Sequence, residues 1–455
     1  MANAIMTQEF AVTIAATIKQ EIPVLEYVNK ELSKLLVGGS GDVVSVLMPN
    51  FGKVTKGASF LANGATTVST LGTITALAVQ VDKCPVNVGI TKVGASYDIL
   101  EKTLKLFTKE SQIKEPRLSN LARTINQEIF KCVQTASHSA IVGPIGFNEL
   151  AEAVAYVEES RVGDEVAGML SPLLNNTIAA SGANKFANPT LGKELYKGLL
   201  GNFMGAEFFS SADAGSLRLG TKAAQEFAIE GDVATISDKD DTLTLSNLTF
   251  GGGNTLTFIP AGTPFVVGEG DATVAGSIVS PFTMSSVYGK DTQVLRAFIA
   301  TVNPATIDED NPDSPSSGSW PITGGSAVVG VAPIYLNQDV NNVVTPSVAA
   351  VPNTWYTSDE AQGATMPIIC PLLAGAKYAL GAVFASKAIA FASTALRAPA
   401  GGVDTSSTTL DGELNIRTTV SWDGKEGEDL WRVDSCYGMA PLYGAGAVAC
   451  YGQIV

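Results

Sequence analysis

The sequence predicts an α+β protein whose body of helices and strands is interrupted by an all-β insertion. Three observations predict it: one strongly amphipathic helical stretch at 114–136, several short segments with period-two apolar alternation, and a region at 224–350 with almost no helical pattern. A helical pattern returns beyond that region. A body that stops and resumes in this way indicates one domain that is split in sequence.

The best helix of the chain is predicted from Lys114 to Ala136. Pro116 fits its first turn, where the missing N–H costs no internal hydrogen bond. Polar residues such as Gln127 and Gln134 fall between the apolar ones, so a single apolar stripe must pack against another element. The stripe follows steps of three and four residues and consists of Leu118, Leu121, Ile125, Ile129 and Val133, with Cys132 as the alternative to Val133.

Residues 1–41 are predicted to form an N-terminal helical arm. The apolar stripe of its first helix recurs every four residues and consists of Phe10, Ile14 and Ile18. Pro23 interrupts this helix, a second short helix is predicted from Val24 to Leu36, and GGSG at 38–41 follows as a flexible hinge. An arm of this kind cannot bury its stripe alone, so it must dock on its own body or on a neighbouring chain.

Residues 42–95 are predicted to form an extended β-flap, a long hairpin with a tip rich in Gly, Ala and Thr. VVSVLMP at 43–49 opens it, and strands are also predicted for ITALAVQV at 74–81 and PVNVGITKVG at 85–94. A two-stranded flap is poorly stable in isolation, so we expect it to lie on another copy of the chain.

The sequence on either side of the insertion predicts both helices and strands. Asn148 is expected to cap the helix NELAEAVAYVEES, VAGMLSP reads as a strand that ends at Pro172, and a short helix is predicted around Lys193 to Leu200. After the insertion, a longer helix is predicted at 373–396. Three strands complete the prediction, at 414–422, at 429–439 and in the C-terminal AGAVACYGQIV.

The region at 224–350 predicts a small all-β domain, which we expect to be a barrel. Segments such as DTLTLSNLTF at 241–250 alternate apolar with polar residues and are separated by Gly, Asp and Pro clusters. Its two acidic loops contain Asp238, Asp240 and Asp241, and Asp308, Glu309, Asp310 and Asp313. The second loop lacks the Gly and the terminal Glu of a calcium loop, so no metal site is predicted there.

The composition argues against several classes of function. A net charge of −15, with only 16% charged residues, argues against nucleic-acid binding by phosphate neutralisation, because such binding requires a basic patch. Its five Cys are scattered without a CxxC pair and are expected to be reduced, buried thiols, while the single His, His138, is expected to be structural. No catalytic motif, cofactor site, N-terminal targeting signal or membrane span is predicted, so we expect a protein that is not an enzyme.

Several strings, together with their order, carry a resemblance to a known family. VVSVLMP opens the flap, LAVQVDKCPVNVGI precedes the long helix, YKGLLGNFMGAEFFSSADAG leads into the insertion, and WRVDSCYGMAPLYGAGAVA lies near the C-terminus. In its order of arm, hinge, flap, long helix, body, insertion and final strands, the chain resembles the tailed-bacteriophage major capsid proteins of the HK-ninety-seven-type fold. The insertion makes it similar to the P-twenty-two-like coat protein branch. The acidic insertion loops and the low charge of the flap depart from the family's pattern.

The resemblance implies a division into five parts. Residues 1–41 would be the N-arm, 42–95 the E-loop flap, and 224–350 the inserted β-barrel domain. The long helix would be the spine of a peripheral domain (P-domain) at 96–140, completed by 351–397. An axial domain (A-domain) at 141–223 would be completed by 398–455.

The resemblance also implies a function, that of a coat protein assembled in the host bacterial cytoplasm. The subunit would form pentamers and hexamers of an icosahedral virion shell that encloses double-stranded DNA without sequence-specific binding and without a membrane. Its partners would be other copies of itself, a scaffolding protein, a portal protein at one vertex and a decoration protein. The implied interface residues are those of the arm stripe, Phe51 and Phe60 of the flap, and Asp238, Asp240 and Asp241 of the insertion. For the three aspartates, solvated loop carboxylates are the alternative.

Two other classes of protein remain open. An encapsulin-like bacterial compartment shares the fold, but such shells generally lack a large all-β insertion. A secreted β-rich surface protein or adhesin would suit the Gly, Thr and Ser content and the acidity, but it predicts a signal peptide and mainly β structure. The long helix and the N-terminal sequence argue against it.

Overall fold

The computed structural model describes seventeen stretches of the chain. They are residues 22–30, 44–49, 83–88, 96–100, 116–182, 201–203, 205–221, 226–233, 241–267, 294–308, 314, 316–334, 366–393, 404–410, 414–423, 428–435 and 437–454.

These stretches contain three α-helices. They are α1 (Pro116–Thr135), α2 (Phe147–Ser160) and α3 (Pro172–Gly182). The helix predicted at 114–136 is therefore confirmed as α1, with Pro116 in its first turn. Helix α2 begins one residue before Asn148, so the prediction that Asn148 caps it is wrong. Gly146 is the N-cap, and its backbone N–H donates to the Glu149 carboxylate at 2.9 Å, because a side chain three residues into a helix can reach back to this N–H.

The described residues form 24 β-strands. Strands β1 to β12 are Val44–Pro49, Lys83–Val88, Ser96–Leu100, Ser139–Gly143, Val166–Leu170, Gly201–Phe203, Ala206–Ser210, Ser216–Arg218, Ile229–Val233, Thr242–Phe250, Phe258–Ile259 and Pro264–Val267. Strands β13 to β24 are Leu295–Arg296, Phe298–Ile299, Trp320–Pro321, Ala327–Gly330, Met366–Ile369, Lys377–Ala385, Ile389–Ser393, Asp404–Leu410, Leu414–Asp423, Glu428–Ser435, Tyr437–Pro441 and Ala447–Ile454.

The largest sheet joins segments that are far apart in sequence. Its eight strands run in the order β13-β4-β24-β18-β5-β7-β6, and β8 pairs with β18 next to β5. Two pairs, β4 with β24 and β5 with β7, are parallel, and the other pairs are antiparallel. The strands before and after the insertion therefore interleave in one sheet.

The helix predicted at 373–396 is wrong, because β18 and β19 occupy this segment. Every side chain from Tyr378 to Ala385 is buried, since β18 lies inside the sheet and is covered on both faces. A strand that is buried on both faces reads as a continuous apolar run, and periodicity cannot distinguish such a run from a buried helix.

A second sheet contains much of the insertion. Its antiparallel strands run in the order β14-β12-β17-β9-β10-β16, with a register irregularity in β10 between Ser246 and Thr249. Strand β17 comes from beyond residue 350, and β13, from within the insertion, pairs with β4 of the large sheet. Within the described stretches, the two end strands β14 and β16 do not pair with each other, so the expected barrel is not confirmed.

The flap is described only at its base. There, β1 and β2 pair antiparallel from Val44 opposite Val88 to Pro49 opposite Lys83, and the predicted strand at 74–81 lies outside the described residues. A further sheet has the order β20-β21-β22-β3, so the segment that follows the flap pairs with strands near the C-terminus.

The second arm helix predicted from Val24 is not observed in residues 22–30. Pro23–Tyr27 form one 3₁₀ turn, after which the backbone of Asn29 pairs with β19: its N–H donates to Ile389 at 3.1 Å and its carbonyl accepts from Phe391 at 2.8 Å. Because this backbone pairing with β19 requires an extended chain, it outweighs the weak helical pattern of the segment.

Helix α1 lies against the buried strands of the body. Ile125, Ile129 and Val133 have no exposed surface, and α1 packs on β18, β23 and β24. Gln134, which the helical pattern places among the polar positions, is also buried. Because the body covers α1 beyond the predicted stripe, the buried face is wider than the apolar pattern indicates.

Candidate functional site

Polar contacts attach α1 to the loop after β7. Arg123 Nε lies 2.8 Å from Asp213 Oδ1, and Asn126 Nδ2 donates to Asp213 Oδ2 at 2.9 Å and to Ser211 Oγ at 3.1 Å. Asn126 is buried whereas Arg123 is exposed, so the carboxylate of Asp213 links an interior amide to a surface guanidinium. These contacts hold the loop against the helix.

A second polar contact joins α1 to the C-terminal strands. The hydroxyl of Tyr437, a fully buried residue of β23, donates to the Glu128 carboxylate at 2.5 Å. Burial raises the pKa of Glu128, although the Tyr437 hydrogen bond and the nearby Lys131 act to lower it. Glu128 is therefore a carboxyl group whose ionisation is disfavoured by its place between helix and sheet.

Tyr27 fixes the turn at Pro23–Tyr27 to the large sheet. Its hydroxyl donates to Glu207 of β7, and its ring lies 5.2 Å from that of Phe209. The pKa of Tyr27 is raised to about 12, mainly by burial, then by the hydrogen bond and negative charge of Glu207, with smaller contributions from Glu26 and Glu165. The phenol therefore stays protonated and acts as a donor.

His138 has a structural environment, as the sequence predicts. It is buried, its Nε2 lies 2.9 Å from the carbonyl oxygen of Ala332, and its ring meets the edge of Phe298 at 5.4 Å. Its backbone carbonyl accepts from the N–H of Ala297. The residue thus joins the end of α1 to two segments of the insertion.

The three cysteines described with their side chains are free thiols that cannot act readily as nucleophiles. Burial raises the pKa values of Cys132, Cys370 and Cys450 to about 12. Because the thiolate is the reactive form, these side chains behave as small apolar groups in the core.

Neither a metal cluster nor a membrane-spanning helix is found in the described stretches. No group of three or more His, Cys, Asp or Glu side chains there could hold a metal ion. None of α1, α2 and α3 is long and apolar enough to cross a membrane.

The surface carries scattered apolar side chains and two groups of charge. The exposed large apolar residues sit on separate elements and are Leu173, Phe227, Leu295, Ile307 and Val328. Arg218 and Lys377, here called the basic pair, are exposed partners on β8 and β18. Exposed carboxylates at the end of α2 and in the loop before β5 form the acidic corner, which consists of Glu158, Glu159, Asp164 and Glu165.

Most of the interface residues predicted from the sequence lie outside the described residues. These are Phe10, Ile14 and Ile18 of the arm, Phe51 and Phe60 of the flap, and Asp238 and Asp240 of the insertion. Leu118 and Leu121 lie within α1, but their side chains are not described. Asp241 is exposed, and its backbone carbonyl accepts from the N–H of Val331 at 2.7 Å.

Sequence reasoning missed the basic pair and the acidic corner. Arg218 and Lys377 are 159 positions apart, and only the pairing of β8 with β18 brings them together. The glutamates at the end of α2 can be seen in the sequence, but charged residues on a solvated helix face do not by themselves indicate a binding surface.

No protein-family model and no curated protein matches the chain. A solved structure from Mycobacterium phage Che8 is 10% identical with a TM-score of 0.36, covering 93% of this chain and 89% of that one. The capsid of Helicobacter pylori bacteriophage KHP30 is 9% identical with a TM-score of 0.35, covering 92% and 87%. The capsid of a native GTA particle is 8% identical with a TM-score of 0.33, covering 95% and 91%. Similarity this low establishes neither a shared fold nor a shared function.

Proposed function

We propose that this chain is the major capsid protein of a tailed bacteriophage. One observation carries the proposal: a paired flap base, a long buried helix and a body sheet occur in this order, and the sheet is completed by strands from beyond the insertion. In that sheet β4 and β5, which precede the insertion, flank β24 and β18, which follow it. This interleaving supports the split body that the order of segments in the sequence predicts.

The flap supports assembly with other copies. Its base is the two-stranded ribbon β1–β2, which pairs with no third strand in the described part of the chain. A two-stranded ribbon is marginal on its own in water, so a long flap needs a surface to lie on. In a shell, the neighbouring subunit supplies that surface.

The polar contacts between segments are consistent with a structural role. His138, Glu128 and Tyr27 each join separate segments of the fold, and the described thiols are held protonated. These groups are spread over different interfaces between elements and do not converge on a common cleft. Their arrangement suits the positioning of elements better than it suits catalysis.

The finer assignments are part of the same proposal. The subunit belongs to the P-twenty-two-like branch, with N-arm 1–41, flap 42–95, inserted domain 224–350, and peripheral and axial domains that are each completed after the insertion. Pentamers and hexamers enclose packaged DNA, a scaffolding protein guides assembly, a portal occupies one vertex and a decoration protein binds outside. The arm stripe, Phe51 and Phe60, and the loop at Asp238 to Asp241 contact neighbours.

The test is negative-stain microscopy of the full chain, expressed alone and together with the genes that lie beside its own. We expect closed shells or aberrant spirals, because a subunit with an unpaired flap and a docking arm buries them on other copies. A stable soluble monomer at high concentration under both conditions would contradict the proposal. Shells that fill with a host enzyme instead of DNA would favour an encapsulin-like compartment.

A further inference from the structure

The basic pair is an unusual feature of the large sheet. Lys377 and Arg218 are directly opposite each other in the antiparallel pair β18–β8, and both are exposed. Residues opposite each other on paired strands project from the same face, so these two cations lie side by side. Like charges in this position destabilise a sheet unless an anion lies between them.

Within the described residues, neither side chain of the basic pair has an ion pair or a hydrogen bond. Acidic groups of the neighbouring segments are engaged elsewhere: the Glu226 carboxylate accepts from the N–H of Gly252 at 2.6 Å, and Asp213 is held by Arg123. The fold thus presents two adjacent positive charges that its own described carboxylates do not neutralise.

The acidic corner is the complementary feature. Its four exposed carboxylates have no hydrogen-bonded partner among the described side chains. Arg161 lies in the same segment, and the backbone of Lys387 lies beside Gly163. The four carboxylates outnumber these two cations, so the corner is acidic. Of the corner, only Glu165 acts on Tyr27, whose pKa is raised mainly by burial and next by Glu207. The charge of the corner is therefore opposite in sign to that of the basic pair.

The two features lie at opposite ends of the same strand. Lys377 begins β18, whereas the acidic corner adjoins its far end, where Val166 pairs with Ala385 and the Glu165 carbonyl accepts from the N–H of Ser386 at 2.9 Å. Eight residue steps at roughly 3.3 Å each separate these ends by about 26 Å. The basic pair and the acidic corner of one chain therefore cannot neutralise each other.

We infer that the basic pair docks on the acidic corner of a second copy of this chain. This inference rests on the proposed function, in which copies surround a common axis. A contact between two different patches is heterologous, so each subunit gives one patch to one neighbour and the other patch to the next. Repeated contacts of this kind close into rings when the rotation between subunits allows it. The contact provides orientation and register around the ring, which is the usual role of complementary charge at an interface.

The test uses the full chain with two matched double variants. Arg218→Glu/Lys377→Glu reverses the basic pair, and Arg161→Glu/Lys387→Glu makes the same two changes beside the acidic corner, with the same net charge. At about 0.15 M salt, where nearby charges still interact, we expect the first variant to lose rings and shells in sedimentation and microscopy. The second variant should assemble at least as well as the unmodified chain. Equal loss in both, or no loss in the first, overturns the inference.

Exchanging the charges of the two patches provides a second experiment, whose readout is restored assembly and not only loss of assembly. Glu158→Lys/Glu159→Lys should also prevent assembly, because both patches of this variant are then basic. Mixing it with Arg218→Glu/Lys377→Glu should restore assembly into even-membered rings, in which the two variants alternate, whereas rings of five cannot form from alternating variants. Thermal unfolding by circular dichroism verifies that each variant folds. Failure of the mixture to assemble, with both variants folded, overturns the inference.

The outcomes separate this inference from the proposed function. If the unmodified chain never assembles, the proposed function fails. If it assembles and the reversed basic pair assembles equally well, only the docking contact fails. If the reversed basic pair assembles but retains less duplex DNA, the pair faces an anionic polymer, and docking on a second copy is again overturned.

Discussion

At the scale of single residues, the fold places a few polar groups where their charge state affects stability. Glu128 is the clearest case, because it is a carboxyl group in the middle of α1 that faces the buried Tyr437. Burial is the largest influence on it and raises its pKa above the ordinary value of 4.5. A raised carboxyl pKa means that folding favours the protonated form. The stabilising contribution is therefore fully present below pH 4.5 and is lost as the pH rises through the folded-state pKa.

Glu128→Gln should raise the free energy of unfolding at pH 7 and change it less at pH 4. The amide removes the buried negative charge yet still offers an oxygen to the Tyr437 hydroxyl. Unfolding monitored by tryptophan fluorescence in a denaturant series at both pH values measures this difference. The matched change Tyr437→Phe removes the donor and should lower stability by roughly 1–3 kcal/mol. A larger gain for Glu128→Gln at pH 4 than at pH 7 would contradict the assigned direction of the pKa.

At the scale of elements, α1 is the segment on which the others depend. Its apolar stripe packs on β18, β23 and β24, and its polar contacts reach the loop after β7 and strand β23. Strands from both sides of the insertion therefore meet on one helix. The amphipathic spacing of α1 has a direct physical role, because it orients Ile125, Ile129 and Val133 into this core.

Ile129→Asp should prevent folding, whereas Gln127→Asp should change stability by about 1 kcal/mol or less. Ile129 has no exposed surface, so an aspartate there would bury an unpaired charge at a cost of several kcal/mol, comparable to the whole stability of a domain. Gln127 is only partly buried, so water can still reach a charge there. Yield of soluble protein and circular dichroism provide the readout. Equal tolerance at the two positions would show that the buried face has been assigned incorrectly.

At the scale of the whole molecule, low charge content and net acidity fit a subunit covered by copies of itself around a polyanion. Only 16% of residues are charged and the net charge is −15. A container that neutralised many phosphates would gain salt-dependent affinity with each one, and this affinity would slow both packaging and release of the DNA. In the proposed shell, the acidity is therefore expected to keep the packaged DNA mobile.

Purified shells should retain little duplex DNA even at low salt. Binding by phosphate neutralisation weakens steeply as salt rises, so low salt is the most demanding condition for this prediction. Retention can be measured by co-sedimentation of labelled duplex with assembled shells, with a basic DNA-binding protein as the positive control. Tight retention that disappears as salt is added would contradict the proposed reason for the acidity.

Local patterns were sufficient for much of the fold. Helix α1, helix α2 and strands β5, β10, β21 and β24 lie where the apolar periodicity predicts them, within a few residues. Each of these elements has one apolar and one polar face, or is a short apolar run that ends at a turn residue such as Pro172. Such elements can be predicted from residue spacing alone, because the spacing of their apolar residues matches the period of a helix or a strand.

The pairing of distant segments was decided only by the tertiary structure. Residues 377–393 form strands and not a helix because β18 is enclosed on both faces, and Asn29 is extended because it completes an edge of β19. Arg218 meets Lys377 for the same reason, since strand register joins positions that no local spacing relates. A sequence pattern records what one residue's neighbours along the chain require, whereas these features depend on neighbours in space.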